Sequence, residues 1–145
     1  MFKVSILEST VCERDDCHKA RNVDDVGIDW QVNLEDTSYL QTVSGIISKI
    51  MDPRGTTLDH YICDGCHTRG SCTKAYCVTY TSDFIIIQLC IFKFIDGISE
   101  KIIPTLKIDE EIFLWGNTMT LHALIYHEGE QANSGHYTSG VKVND

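Results

Sequence analysis

The chain has 145 residues, 43% of them apolar, and a formal net charge of −9 from 21 acidic and 12 basic residues. That is enough for one domain with a core. The acidic balance argues against a nucleic-acid binder, which needs clustered Lys and Arg for phosphates, and favours a partner with a basic face. The N-terminal segment has no basic leader followed by an apolar core, and no apolar run reaches the ~18 residues that span a bilayer. The expectation is therefore no membrane and an intracellular protein, cytoplasmic or nuclear. Seven cysteines, an odd number, fit a reducing compartment with some thiols bound to metal better than a full disulfide scheme.

In chain order, Phe2, Val4 and Ile6 alternate as in a strand, and Cys12 and Cys17 bracket the charged turn Glu13-Arg14-Asp15-Asp16. Ile28, Trp30, Val32 and Leu34 alternate with Asp29, Gln31 and Asn33, a half-buried strand. Leu40, Val43, Ile46, Ile47 and Ile50 then fall at helical spacing, with Asp36 or Thr37 as the N-cap and Asp52-Pro53-Arg54-Gly55 as the stop. The rest of the chain reads as β. Tyr76–Tyr80 and Phe84–Phe94 are rich in β-branched and aromatic residues, and Phe84–Leu89, apolar on both faces, predicts a central strand. Lys101–Leu106, Met119–His127 and His136–Val143 follow as strands. Asp96-Gly97, Trp115-Gly116-Asn117 and Glu128–Gly135 supply the turns.

Cys63-Asp64-Gly65-Cys66 is a CxxC whose thiolates can both reach one tetrahedral zinc, with Gly65 letting the backbone fold under the metal. Two sources can complete the site. One is Cys12 and Cys17 on their own turn, giving two knuckles held by one ion. The other is local, with Cys72 and Cys77. His18, His60 and His67 stand beside the knuckles as further possible ligands, and Cys72, Cys77 and Cys90 also suit burial as small apolar residues.

Near the C-terminus, Leu121-His122-Ala123-Leu124-Ile125-Tyr126-His127-Glu128-Gly129 leads through Glu130-Gln131-Ala132-Asn133-Ser134 into Gly135-His136-Tyr137-Thr138-Ser139. A strand ends at His127, a polar loop follows, and a second strand begins at His136. An exposed histidine at that strand start suits a general base, because imidazole takes up and releases protons near neutral pH.

These segments resemble the histidine box of the ubiquitin-specific cysteine proteases. Tyr61-Ile62-Cys63-Asp64-Gly65-Cys66 and Phe84-Ile85-Ile86-Ile87-Gln88-Leu89-Cys90-Ile91-Phe92 are similar to two further motifs of that family. Phe2–Cys17 and Trp30–Leu34 are similar to its fingers segment, in the same order along the chain. The resemblance implies an α+β, mostly β fold: an antiparallel palm sheet, zinc-knuckle fingers (about 2–34 and 58–80) and one main helix, a papain-like cysteine protease lacking the thumb. It also implies hydrolysis of the isopeptide bond after the ubiquitin C-terminus. His136 matches the catalytic histidine, and His127 the family's non-catalytic histidine upstream. Asn133, Ser134 and Gly135 match the loop beside the ubiquitin tail. Cys12, Cys17, Cys63 and Cys66 match the ligands of a structural zinc.

The family's cysteine box, with its nucleophile and oxyanion-stabilising residue, has no counterpart in these residues. Asp145 stands too close behind His136 to match the orienting Asp or Asn. The expectation is a portion of a deubiquitinase that is inactive alone, with ubiquitin or a ubiquitinated protein as partner and the thumb segment of a longer chain to complete it. The alternatives are a non-catalytic ubiquitin binder, its Glu128 and Glu130 facing the arginine-rich ubiquitin tail, or a zinc module for other contacts.

Overall fold

The computed structural model describes residues 2–34, 39–102 and 105–143. Among them are fourteen strands and one helix, the mostly β fold with one main helix expected from the sequence. The chain divides into two compact units, Met1–Trp30 with Ile47–Gln88, and Gln31–Ile46 with Leu89–Asp145.

The first unit is built on a four-stranded antiparallel sheet. Its strands are β1 (Val4–Cys12), β2 (Ala20–Gly27), β5 (Thr56–Thr57) and β6 (Cys72–Thr81), in the order β2-β1-β6-β5. Val4, Ile6, Thr10 and Cys12 alternate inward along β1 and are buried, the period of two that a half-buried strand requires. A register shift between Ser5 and Ile6 marks a bulge against β6. The sequence alternation did not reveal β2. It is exposed along nearly its whole length and, among the described residues, pairs with β1 alone, so no core face imposes a pattern. Arg21, Asp24 and Asp25 give this edge strand the charge that discourages further pairing.

The second unit is a set of short ribbons. Strands β8 (Phe92–Ile95) and β9 (Ile98–Lys101) form one hairpin, β11 (Glu111–Leu114) and β12 (Asn117–Thr120) another, and β13 (Ala123–Glu128) and β14 (His136–Val141) a third. Two of them close on two-residue loops with positive φ at both positions, Asp96 at 50° with Gly97 at 81°, and Trp115 at 50° with Gly116 at 83°. This is the loop whose twist matches paired strands, and both sites were legible as turns. In a parallel pair, β4 (Gln41–Thr42) lies against β10 (Leu106–Lys107).

Three expectations change. The helix α1 runs Val43–Ile50, so Leu40 lies outside it and is exposed. Asp36 and Thr37, the expected caps, lie outside the described residues. The cap is Thr42, whose Oγ1 accepts from the Gly45 amide at 3.0 Å, helped by Asp109, whose Oδ2 accepts from the Ser44 amide at 2.9 Å. Pairing of Gln41 and Thr42 with β10 holds the chain extended until Val43. Second, the run at Phe84 is not a central strand among the described residues: β7 (Ile86–Cys90) pairs only with β3 (Asp29–Asn33), and Phe84 is 57% exposed. Third, Met119–His127 breaks into β12 and β13 at Leu121 and His122. Among the described residues no helix is long and apolar enough to cross a membrane.

Candidate metal centre and histidine hairpin

Cys12 ends β1 directly opposite Cys72 on β6. The chain then turns through Glu13–His18, with the Cys12 amide donating to the Lys19 carbonyl at 2.9 Å and the Cys17 amide to the Arg14 carbonyl at 3.0 Å. The turn is braced by Arg14, whose Nε and Nη2 grip Asp16 at 2.8 and 2.7 Å. The second knuckle repeats the scheme. The Gly65 amide donates to Cys63 Sγ at 3.3 Å, the His67 amide donates to the Cys63 carbonyl at 2.8 Å, and an Ile62–Arg69 bridge closes the base.

Each knuckle ends on a Cys-His pair whose histidine is left-handed, His18 at φ 47° and His67 at φ 56°. These histidines turn the chain back after the second cysteine, a conformation His tolerates better than most residues. They do not join the metal-ligating group. His60 Nδ1 lies 2.7 Å from Arg69 Nη2 and is not in that group either.

The sulfurs of Cys12, Cys17, Cys63 and Cys66 all lie within 4.8 Å of one another, and among the described residues no other set of three or more His, Cys, Asp or Glu forms such a group. Cys12 to Cys66 and Cys17 to Cys63 are each 3.7 Å. A tetrahedron of thiolates about 2.3 Å from a central zinc has edges near 3.8 Å, so the donor set and spacing fit a four-sulfur metal site. All seven cysteines are free thiols. Cys12 is 0% and Cys63 2% exposed, and Cys17, Cys66 and Tyr61 pack around them with Cys72.

The local alternative with Cys72 and Cys77 is not what forms. Cys72 is buried beside the cluster but outside the four, and Cys77 is exposed on β6.

The surroundings prepare the thiols unequally. Hydrogen bonds from the Thr68 hydroxyl and amide lower Cys66 to about 6. The Cys66 and Gly65 amides lower Cys63. At Cys17 the Lys19 amide favours the thiolate, but burial and the neighbouring sulfurs outweigh it and push the thiol up to about 12. Burial pushes Cys72 up to about 11, keeping it a thiol. Arg14 Nη1 donates to Thr68 Oγ1 at 3.3 Å, and Ser71 Oγ lies 3.4 Å from Cys12 Sγ, a supporting shell.

The histidine hairpin belongs to the second unit. His136 opens β14 opposite Glu128, the last residue of β13, and is exposed. The Thr138 hydroxyl donates to Glu128 Oε1 at 3.3 Å on the same face. Of the three loop residues expected near a ligand, Ser134 is held within the loop, its hydroxyl donating to Gln131 Oε1 at 3.3 Å. Gly135 has φ 146°, and a side chain there would run into His127 Nε2 at 2.5 Å. Asn133 is exposed.

His127 is packed rather than presented. Its ring meets Phe92 edge-on at 5.3 Å and Tyr137 at 4.9 Å, and its Nδ1 is buried with no hydrogen-bond partner among the described residues. Lys101, on β9 opposite Phe92, is a residue that sequence reasoning missed. Its Nζ donates to the carbonyls of His127 at 3.0 Å and Gly129 at 2.7 Å.

No family model matches the chain, and no curated protein matches it. Solved structures do. A structure of the yeast SAGA DUB module with an Sgf73 mutant matches with a TM-score of 0.76 and 17% identity, over 99% of this chain and 33% of the matched one. The Ubp8/Sgf11/Sus1/Sgf73 module bound to ubiquitin aldehyde matches with a TM-score of 0.69 and 16% identity, over 99% and 34%. The same module with a Ubp8 mutant bound to monoubiquitin gives 0.71 and 17%, over 99% and 33%. The chain thus spans about a third of the length of the chains it matches. It carries a fold found in the SAGA DUB module, in accord with the resemblance of its cysteine and histidine motifs to the ubiquitin-specific proteases.

Proposed function

We propose that this chain is a fingers-and-palm portion of a deubiquitinating cysteine protease. In this reading Cys12, Cys17, Cys63 and Cys66 hold a structural zinc, His136 is the general base, and Asn133, Ser134 and Gly135 line the path of the ubiquitin tail. The observation that carries it is the fold match over 99% of the chain to modules solved with ubiquitin aldehyde and monoubiquitin. The four-sulfur cluster falls on the four cysteines that the resemblance names. When bound, zinc would tie the two knuckles together and leave the chemistry to the side chains.

His136, exposed at the mouth of the hairpin, would take the proton from an attacking thiol. The glycine-flanked loop before it would leave a narrow path for an extended Gly-Gly tail. None of the seven cysteines sits in a segment like the family's cysteine box, so the 145 residues alone bind ubiquitin without cleaving it. Exposed Ile125, Tyr137 and Val141 on one face of β13 and β14 suit covering by the thumb of a longer chain.

A non-catalytic ubiquitin binder is the second reading, favoured by the net charge of −9 and by Glu128 and Glu130 at the loop. Calorimetry with ubiquitin, repeated as salt is raised, tests both. Binding without hydrolysis of a fluorogenic ubiquitin amide is expected, and affinity that falls with salt supports charge pairing at the tail. Hydrolysis abolished by His136→Ala would overturn the incomplete-site reading, and absence of binding would overturn both.

A further inference from the structure

Glycines at both ends of the 129–135 loop, with φ 131° at Gly129 and 146° at Gly135, leave it little backbone stiffness of its own. Two contacts compensate. At the far end, Gly135 lies against the His127 ring so closely that a Cβ would overlap it. At the near end, Lys101 reaches across from β9.

Lysine usually pairs with a carboxylate, and Glu100 is adjacent, yet Glu100 pairs with Lys93 at 3.4 Å. The Lys101 ammonium instead donates to two main-chain carbonyls, those of His127 and Gly129, at the point where β13 runs into the loop. Its stem is fixed by the β8–β9 register, which sets Lys101 opposite Phe92 with Nζ 6.0 Å from that ring. The opposite edge of the arrangement is the Phe92–His127–Tyr137 stack. Lys101, Phe92, His127 and Tyr137 therefore form one continuous bracket under the loop.

We propose that Lys101 is a positioning residue: its ammonium pins the entry of the 129–135 loop and so sets Asn133–His136 for an extended ligand tail. The tail's identity rests on the ubiquitin reading above; the hold on the loop does not. Charged hydrogen bonds to carbonyls are the stronger kind, and an ammonium can make two at once.

The test compares wild type, Lys101→Met and Lys101→Arg, all metal-loaded, by amide hydrogen exchange and by titration with labelled ubiquitin. Lys101→Met keeps the stem and removes the donors. It should speed exchange in residues 129–135 about tenfold, roughly one net charged hydrogen bond, and weaken the ubiquitin-tail shifts by a similar factor. Exchange in Cys63–Gly70 should stay unchanged. Lys101→Arg, which can also donate to two carbonyls, should restore both readouts to within about threefold. Unchanged loop exchange in Lys101→Met overturns the proposal. So does faster exchange throughout the unit that Lys101→Arg fails to restore, which would make the residue merely structural. If wild type itself gives no tail shifts, the ubiquitin reading falls, while the exchange comparison still decides whether Lys101 holds the loop.

Discussion

A Cβ placed on Gly65 would lie 2.9 Å from Cys17 Sγ and 3.0 Å from Lys19 Cβ. The two knuckles approach so closely that one must present bare backbone to the other's sulfur. Gly65→Ala should therefore push Cys17 out of the tetrahedron and cost about 1–3 kcal/mol, the range for overpacking a tight contact. Gly140→Ala, where an added Cβ would meet no other described residue within 4 Å, is the control. Competition against a metal indicator measures both. Equal affinities in wild type and Gly65→Ala would mean that the knuckles do not close on a common ion.

Metal removal separates the four ligands from the other thiols. One zinc per chain is expected, with loss of the unfolding transition or a large fall in its midpoint on chelation, because one ion would join ligands from two separated segments. Serine at Cys12, Cys17, Cys63 or Cys66 should abolish tight binding, whereas Cys77→Ser, at an exposed position on β6, should leave stoichiometry and midpoint unchanged. Zinc held equally well after Cys17→Ser but lost after Cys77→Ser would restore the local alternative.

These two sites show what the sequence made legible. The CxxC, the charged turn after Cys12 and the glycine between Cys63 and Cys66 carry local chemistry, so each knuckle was legible as a candidate, while spacing alone left the local set with Cys72 and Cys77 open. The hairpin turns at Asp96-Gly97 and Trp115-Gly116 were legible for the same reason. Strand β2 was not, since an exposed edge strand pairs through its backbone and leaves no apolar period. The start of α1 was not, because its Thr42 cap depends on help from Asp109, far along the chain, and on the pairing of Gln41 and Thr42 with β10. Lys101 left no trace because its partners are carbonyls, which every residue has.

Gly135 is constrained by its φ of 146°, by the Glu128 carbonyl and by the His127 ring. Gly135→Ala should destabilise the hairpin by about 1–3 kcal/mol and displace His136. Chemical unfolding of the metal-loaded chain gives the cost, and loss of the ring-current shifts between His127 and Tyr137 would report the displacement. A neutral substitution with intact shifts would contradict the packing.

At the end of α1, Arg54 holds the Asp52 carboxyl down to about 2 through side-chain and backbone hydrogen bonds. A carboxylate lowered in the folded state adds stability above its unfolded pKa, and that contribution disappears as pH falls through the folded value. Asp52→Asn should thus be less stable than wild type above about pH 4, the ordinary carboxylate range, with the difference shrinking toward pH 2. Carbon-detected titration of Asp52 checks it directly. A midpoint near 4 in wild type, unchanged by Arg54→Ala, would show the pair to be absent in solution.

The central claim, that the metal-loaded chain receives the ubiquitin tail along the loop before His136, is tested most directly by NMR titration of isotope-labelled ubiquitin with the unlabelled chain. Shifts concentrated on the ubiquitin tail and adjoining β-face, weakened by Gly135→Ala and absent after zinc removal, are the expected result. Unshifted ubiquitin at high excess of the zinc-loaded chain would contradict it.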